Sequence, residues 1–155
     1  MRYLFVLITA SLISASSAVN AQVSLSVNIN LGTQPSWGPV GYDYVEYYYF
    51  PDIEVYYYVP QHRYYYFQSG SWASGSVLPS RYRSFNVYTS YKVVINDREP
   101  WHNHPSHKRK YASYKGRDGQ PVIRDSKDSK YFVNKGHPEH NNWKKKQKGN
   151  SRKQK

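Results

Sequence analysis

Short runs of alternating apolar and polar residues follow the first twenty residues of the chain. In the first run every second position is apolar, at Val23, Leu25, Val27, Ile29 and Leu31. Because successive side chains on a strand point to opposite faces, this alternation predicts a half-buried strand. Residues 32–41 are rich in Gly and Pro and predict a loop, in which Trp37 packs back as an anchor. A shorter alternation at Tyr91, Val93 and Ile95 predicts the last strand.

Between these strands, residues 42–72 hold three aromatic runs separated by turn-like segments. A two-residue turn at Pro51-Asp52, a three-residue loop at 60–62 and a two-residue turn at Ser69-Gly70 predict an antiparallel meander. The predicted pairs are Phe50 with Ile53, Tyr48 with Val55, Tyr57 with Tyr65, Val55 with Phe67, and Phe67 with Trp72. With a helical turn at 78–83, the pattern predicts a small all-β domain of about five or six short strands.

This register gives the meander two different faces. The more apolar face, predicted to be the core, holds Tyr48, Phe50, Ile53, Val55, Tyr57, Tyr65, Phe67 and Trp72. The other face holds Glu54, Gln68 and six candidate binding residues, which are Tyr47, Tyr49, Tyr56, Tyr58, Tyr64 and Tyr66. Glu54 is interpreted as a solvent-face charge near Arg63 or Gln68. A slip of one residue in any loop would swap the faces of all later strands.

Three uses of the tyrosine face remain open. If it is exposed, its rings and hydroxyls suit stacking on sugars or peptides. Alternatively, the strand at 23–31, the Trp37 loop or the segment at 78–83 covers it and makes a two-layer structure. Tyrosine-rich strands without net charge also favour self-assembly through their edges.

The N-terminal residues predict export. Residues 1–21 combine Arg2, an apolar run at 3–13, and small residues Val19 and Ala21 before Gln22, which is typical of a cleaved secretory signal peptide. No other segment is apolar enough to span a membrane, so the mature chain is expected to lack a transmembrane segment. The chain has no Cys, which excludes disulfides, a thiol nucleophile and a Cys-ligated metal.

Charge divides the chain near Glu99-Pro100. Residues 101–155 contain 16 Lys and Arg against four Asp and Glu, a net charge of +12, and the first hundred residues sum to zero. With few aliphatic residues, this segment is predicted to be a disordered basic tail at 100–155, after a Tyr-rich β domain at 22–99. Its candidate polyanion-binding residues are Lys144, Lys145, Lys146, Lys148, Arg152, Lys153 and Lys155.

Several segments resemble a group of small exported proteins of Gram-negative bacteria. The resemblance covers residues 22–96 and lies in WGPVGYDY, PDIEVYY and LPSRYR, which are followed by a basic end rich in His and Asn. It implies an exported domain with a variable tail. It implies no activity, cofactor or ligand.

The sequence does not favour an enzyme or a metal protein. The carboxylates Asp52 and Glu54 are best explained as a turn residue and a surface charge, and the two Ser-Gly-Ser segments lack a nucleophile-elbow pattern. Clustered imidazoles can chelate metals, but the two histidine clusters of this chain have no rigid frame. We therefore assign neither a metal nor a cofactor. The histidines concerned are His102, His104 and His107 in one cluster and His137 and His140, beside Glu139, in another.

The expected function is therefore a non-catalytic interaction protein that is periplasmic, outer-membrane-associated or secreted. Its aromatic sheet would bind a glycan, peptide or protein, and its cationic tail would attach to an anionic envelope component. Nucleic acid is not expected as a partner, because export separates the chain from the cytosol. The alternatives are a self-assembling surface protein and, less favoured, a hydrolase or a metal binder with a His-rich tail.

Overall fold

A computed structural model describes residues 29–153, with side chains to Ser151, and shows one antiparallel sheet of five short strands. The strands are β1 (Tyr47–Phe50), β2 (Val55–Tyr58), β3 (Arg63–Gln68), β4 (Ser71–Gly75) and β5 (Val93–Ile95), in the order β4-β3-β2-β1-β5. The described residues contain two α-helices, α1 (His104–Lys110) and α2 (His140–Lys153), and five short 3-10 helices. The predicted small antiparallel all-β fold is confirmed.

The first two hairpin loops are longer than predicted. β1 pairs with β2 through Phe50 and Val55, so the loop is Pro51–Glu54. This shifts the predicted pairs by two residues and leaves the faces unchanged. β2 pairs with β3 through Tyr57 and Tyr64. The predicted register of this pair is therefore wrong by one residue. As a result, the side chains of β3 and β4 lie on the opposite faces of the sheet from those expected.

Backbone geometry explains the four-residue loops. Each ends on a left-handed residue, Glu54 at φ 56° and His62 at φ 54°. A left-handed residue at that place turns the chain back into the twist of the hairpin, which a two-residue type I turn at Pro51-Asp52 does not match. The third turn is as predicted, because Ser69 and Gly70 both have positive φ and Phe67 pairs with Trp72.

One face of the sheet forms a first core around the Trp37 anchor. Trp37 lies 4.9 to 5.5 Å, centroid to centroid, from the rings of Tyr48, Phe50 and Tyr57. The segment after β4 covers this core and contains the predicted helical turn as a 3-10 helix at Ser80–Tyr82. As a result of the one-residue shift, Tyr64 and Tyr66 pack here rather than on the opposite face.

The other face forms a second core of Tyr47, Tyr49, Tyr56 and Ile95. Residues after Pro100 cover it: Trp101 stacks on Tyr65 at 4.1 Å and 8°, and α1 lies over Tyr49 and Tyr56. The coverage was predicted as one alternative. Of the three covering segments that we expected, the Trp37 loop and the segment at 78–83 pack on the first core instead, and the strand at 23–31 lies mostly outside the described residues.

The prediction of a disordered tail from Pro100 is not confirmed. Beyond α1, the buried residues Ile123 and Tyr131 pack with Leu31 in a third cluster, and Asn134 donates hydrogen bonds from Nδ2 to the carbonyls of Leu31 and Gln34. The composition argument failed because a few large side chains from distant parts of the chain can form a buried cluster when the fold brings them together.

Two predictions fall wholly or mostly outside the described residues. The signal peptide at 1–21 lies outside them, as does most of the strand at 23–31. The described end of that strand, residues 29–31, is not a strand. Instead, Asn30 bridges to the chain before β1, with its backbone N–H on the Asp43 carbonyl and its side-chain amide on the Val45 carbonyl. Within residues 29–153, no helix has the length and apolar character required to cross a membrane.

Candidate functional site

An open cleft of about 1080 Å³ lies at one end of the sheet. β2 pairs with β3 only as far as Tyr65, whereas β3 and β4 stay paired to Gln68 and Ser71. The end of the β3–β4 hairpin therefore projects beyond β2, beside the Pro51–Glu54 loop. The cleft between them is lined by Asp52, Ile53, Glu54, Phe67, Trp72, Tyr82, Trp101, His102, His104, Pro105 and Lys108.

Aromatic side chains line much of the cleft. Phe67 is 53% exposed. Its ring meets the edge of Trp72 at 5.6 Å, and Trp72 in turn contacts Tyr56 at 5.6 Å and His104 at 5.1 Å. Trp101 is held by its stack on Tyr65. These contacts fix the rings in place and leave flat apolar surface open to a ligand.

Glu54 is the most constrained polar group of the cleft. Its carboxylate accepts hydrogen bonds from the Lys115 ammonium at 2.7 Å and the Lys108 ammonium at 2.9 Å, and it lies 3.4 Å from His104 Nε2. Burial opposes ionisation, but the hydrogen bonds and charges of the two lysines outweigh it and lower the pKa of Glu54 to about 2. Glu54 is therefore ionised near neutral pH, and its charge is balanced locally.

Asp52 lies on the same loop and has a structural partner. Its Oδ1 atom accepts a hydrogen bond from the Gly116 backbone N–H at 2.7 Å. Together with the ion pair between Lys115 and Glu54, this hydrogen bond holds the β1–β2 loop against the segment that follows α1. Two carboxylates therefore line the cleft, and each is held by residues beyond Pro100.

A histidine pair from α1 lies behind the aromatic side chains. The Tyr56 hydroxyl is 2.9 Å from His107 Nδ1 and 3.2 Å from His104 Nδ1. Desolvation lowers the pKa of both histidines, and for His104 it outweighs the opposing effect of Glu54. Both rings are therefore neutral at pH 7, and Tyr56 connects them to the middle of the sheet.

The six tyrosines predicted as a common binding face do not form one. Tyr47, Tyr49 and Tyr56 are buried in the second core. Tyr58 is half-buried against Tyr47 at 4.7 Å. Tyr64 and Tyr66 are half-buried on the opposite face of the sheet. The aromatic lining of the cleft is instead the exposed Phe67 with the half-buried Trp72 and Trp101, which were predicted as core or left unassigned.

The sequence contained a partial signal for the cleft. Trp101 directly precedes the first histidine cluster, and Trp72 follows the Ser69-Gly70 turn. Tryptophans next to turns and polar clusters are common in binding sites. What could not be seen was that residues 72 and 101 meet, because the segment after Pro100 was predicted to be disordered.

Six of the seven basic residues predicted to bind polyanions lie on α2. Lys144, Lys145, Lys146 and Lys148 are all exposed, and the helix contains no Asp or Glu. Arg152 and Lys153 continue the helix backbone, and Lys155 lies outside the described residues. Successive helical positions are 100° apart, so these lysines surround the helix rather than forming one stripe.

The histidines considered as metal ligands have different environments. His102 is exposed, 3.9 Å from Glu99. His137 is buried, with Nε2 against the Ser126 carbonyl and Nδ1 accepting from the Glu139 N–H, and His140 Nδ1 contacts the Phe132 carbonyl. Within residues 29–153, no group of three or more His, Asp or Glu side chains is arranged to hold a metal.

The fold and the cleft define a small all-β protein with an aromatic surface site. Comparison of the chain with known protein families, with curated proteins and with solved structures gave no match.

Proposed function

We propose that this chain is a non-catalytic exported interaction protein whose aromatic cleft binds a glycan. The single observation that supports this most is the aromatic lining of the cleft, with Phe67 53% exposed and Trp72 and Trp101 half-buried, beside hydrogen-bonding groups in an open cleft of about 1080 Å³. This volume lies at the upper end of typical ligand sites, about 300–1,000 Å³, and suits several sugar rings. Sugar rings present flat C–H faces that stack on aromatic rings, and their hydroxyls need polar partners.

Charge favours a neutral glycan over an anionic one. Asp52 and Glu54 are matched by Lys108, which lines the cleft, and by Lys115, which binds Glu54 directly. The cleft is thus charge-balanced in a chain whose net charge is +12. An uncharged ligand loses little hydration free energy on entering such a site. A polyanion would bind more strongly elsewhere on the molecule.

The environment of Glu54 supports a binding role rather than hydrolysis. Glycoside hydrolases need one carboxyl group that stays protonated to serve as the general acid. The lysines that lower the pKa of Glu54 to about 2 work against that role. Asp52 is occupied in part by the Gly116 N–H.

We propose that α2 attaches the protein to a polyanionic component of the envelope. Its exposed lysines attract phosphate or acidic sugar groups over a Debye length of about 8 Å. Near an anionic surface each basic residue contributes about 1 kcal/mol, so a few contacts give useful attachment. Export itself is inferred from residues 1–21.

Self-assembly is a second candidate, supported by β4. This strand forms one edge of the sheet, and its sequence SWASG has no charged residue to prevent pairing with another edge. Assembly through β4 would give sheet growth that depends on protein concentration.

The test of the proposal uses the chain from Gln22 on arrays of neutral glycans, acidic glycans and peptides. Phe67→Ala and Trp72→Ala should each weaken binding to neutral glycans about tenfold or more, because each removes about 1.4 kcal/mol or more of stacking. Val77→Ala is the matched control, since Val77 is a 72% exposed apolar residue outside the cleft. Deleting residues 144–155 should abolish salt-sensitive retention on envelope extract and leave glycan binding intact.

Other outcomes would contradict this assignment. Equal glycan binding by wild type and both cleft variants would exclude the cleft as the glycan site. Binding confined to peptides would replace a glycan with a protein partner. Sheet growth that rises with protein concentration, in the absence of any ligand, would support assembly instead.

A further inference from the structure

Two histidine ring nitrogens of α1 contact the same hydroxyl group beneath the cleft. His104 and His107 are three residues apart, so they lie on the same side of the helix. Both direct Nδ1 at the oxygen of Tyr56, at 3.2 and 2.9 Å. The hydroxyl has a single proton, so it can donate to only one ring and must accept from the other.

The separations match those between ligands of one metal ion. Nitrogen and oxygen ligands bind zinc-like ions at about 2.0–2.1 Å, so separations of 2.9 and 3.2 Å correspond to ligand–metal–ligand angles of about 90° and about 100°. Those angles lie between octahedral and tetrahedral geometry.

A carboxylate supports the outer nitrogen of His104. Its Nε2 lies 3.4 Å from Glu54 Oε2, on the side away from Tyr56. Metal-binding histidines usually donate their second ring N–H to a carboxylate or carbonyl, which fixes the tautomer and increases the basicity of the ligating nitrogen. Glu54 is in the position to do this, and its negative charge also favours a cation nearby.

A second buried group belongs to the same cluster of rings. Tyr49 is fully buried, and its hydroxyl has no hydrogen-bond partner among the residues described. Its ring lies 4.8 Å from that of Tyr56 and 6.1 and 6.2 Å from those of His104 and His107. Buried polar groups without a partner are rare in proteins and suggest a missing ligand.

We propose that Tyr56, His104 and His107 form a site for a divalent transition-metal ion such as Cu(II), with Glu54 orienting His104. Imidazole and phenolate donors suit copper and zinc, and copper binds most strongly of the divalent first-row ions. On binding, the ion forms a bond to the Tyr56 oxygen, whose proton leaves for solvent. The site does not depend on what the cleft binds.

The surroundings allow the ion to enter and to be retained. Tyr56 is fully buried and His107 is 5% exposed, whereas the His104 side chain is 16% exposed and lines the cleft. The ion would therefore enter past His104. A bound ion would link α1 to β2 and stabilise the cover of the second core.

The experiment titrates Cu(II), and Zn(II) in parallel, into the chain from Gln22 purified without a histidine tag. Excess glycine is added to remove copper held weakly by exposed histidines. We expect one retained equivalent of Cu(II), a visible phenolate-to-copper charge-transfer band, and a rise in Tm with each of the two metals.

Matched variants then locate the site. Tyr56→Phe keeps the ring and its packing but should remove the charge-transfer band and lower Cu(II) affinity at least tenfold. His107→Gln should likewise lose the retained equivalent. Tyr57→Phe is the tyrosine control, because the Tyr57 hydroxyl meets only one imidazole, that of His62 at 3.0 Å. His102→Gln is the histidine control, because the side chain of His102 is 73% exposed.

The proposal is overturned by any of three results. The first is that no copper is retained against glycine. The second is that the charge-transfer band persists in Tyr56→Phe. The third is that His102→Gln or a His137→Gln/His140→Gln double variant, rather than His107→Gln, loses the retained copper. None of these results bears on glycan binding, so this proposal and the proposed function can fail separately.

Discussion

Among single residues, Glu54 has a position that is set by its backbone conformation as well as by its side-chain partners. It ends the β1–β2 loop at φ 56°, and its N–H donates to the Phe50 carbonyl at 2.8 Å. This geometry directs the carboxylate away from the sheet and toward Lys108 and Lys115. The partners expected from the sequence, Arg63 and Gln68, are not the residues that it meets.

The ion pairs of Glu54 should make stability depend on pH. Its pKa is lowered from 4.5 to about 2 on folding, so its contribution is present above about pH 4.5 and is lost as the pH falls toward 2. Because the lysines are 55% and 42% exposed, solvent screening limits this contribution to about 1–2 kcal/mol of unfolding free energy. Urea denaturation between pH 2 and 7 should show the loss in wild type and not in Glu54→Gln.

Asp125→Asn provides the control for this prediction. Asp125 also has a carboxylate paired with a base, the guanidinium of Arg124 at 2.9 Å, but that side chain is 61% exposed. Its removal should leave the pH profile almost unchanged, because exposed pairs contribute little. Identical pH profiles for wild type and Glu54→Gln would show that the Glu54 ion pairs do not form in solution.

At the scale of elements, the three hairpin loops differ in how well residue type predicts them. Ser69-Gly70 is a familiar two-residue turn with positive φ at both positions, and its pairing was predicted correctly. The loops that end at Glu54 and His62 put left-handed residues where the sequence has neither Gly nor Asn. Their lengths are decided by strand twist and by contacts outside the loop, so turn propensity alone underestimated both.

The Ser69-Gly70 turn allows a test of this explanation at a site without tertiary contacts. Gly70 has φ +82°, and a Cβ there would meet nothing within 4 Å, so Gly70→Ala should cost about 1–2 kcal/mol of unfolding free energy through backbone strain alone. Ser69→Asn should instead stabilise by a few tenths of a kcal/mol, since Asn tolerates left-handed geometry. Thermal and urea unfolding of both variants measure the effects. A neutral Gly70→Ala would indicate a turn of another type.

At the scale of the whole molecule, the chain beyond Pro100 is part of the fold. Trp101, His107 and Tyr111 pack on the second core, and Ile123 and Tyr131 build the third cluster. Only α2 after Trp143 is exposed at every described side chain. The molecule therefore has two kinds of C-terminal segment, one that packs into the fold and one whose described side chains are all exposed.

Two truncations should separate these segments. Ending the chain at Glu99 would expose Tyr47, Tyr49 and Tyr56 to water, and burying one such aromatic side chain contributes about 1.5–3 kcal/mol, so this variant should unfold or aggregate. Ending it at Trp143 should leave Tm within a few degrees of wild type. Circular dichroism and light scattering on both truncations measure this. A soluble, cooperatively folding 22–99 fragment would show that the segment beyond Pro100 is dispensable for the fold.

The sequence alone determined the local features of this protein. Aromatic runs separated by turn residues predicted the antiparallel meander, alternation predicted β5, and Ser and Gly marked the third turn, because each depends on neighbours within a few residues. It also gave the charge of the C-terminal segment and the lysines that α2 presents.

Tertiary structure alone decided which faces are buried and where the cleft lies. The faces of the residues in β3 and β4 depended on one extra residue in the loop at 59–62, and that loop is set by strand twist rather than by residue type. The cover on the second core comes from residues such as Trp101 and His107, which lie about fifty positions from the tyrosines that they contact. Burial depends on meeting a partner surface, and composition within a window cannot show that surface.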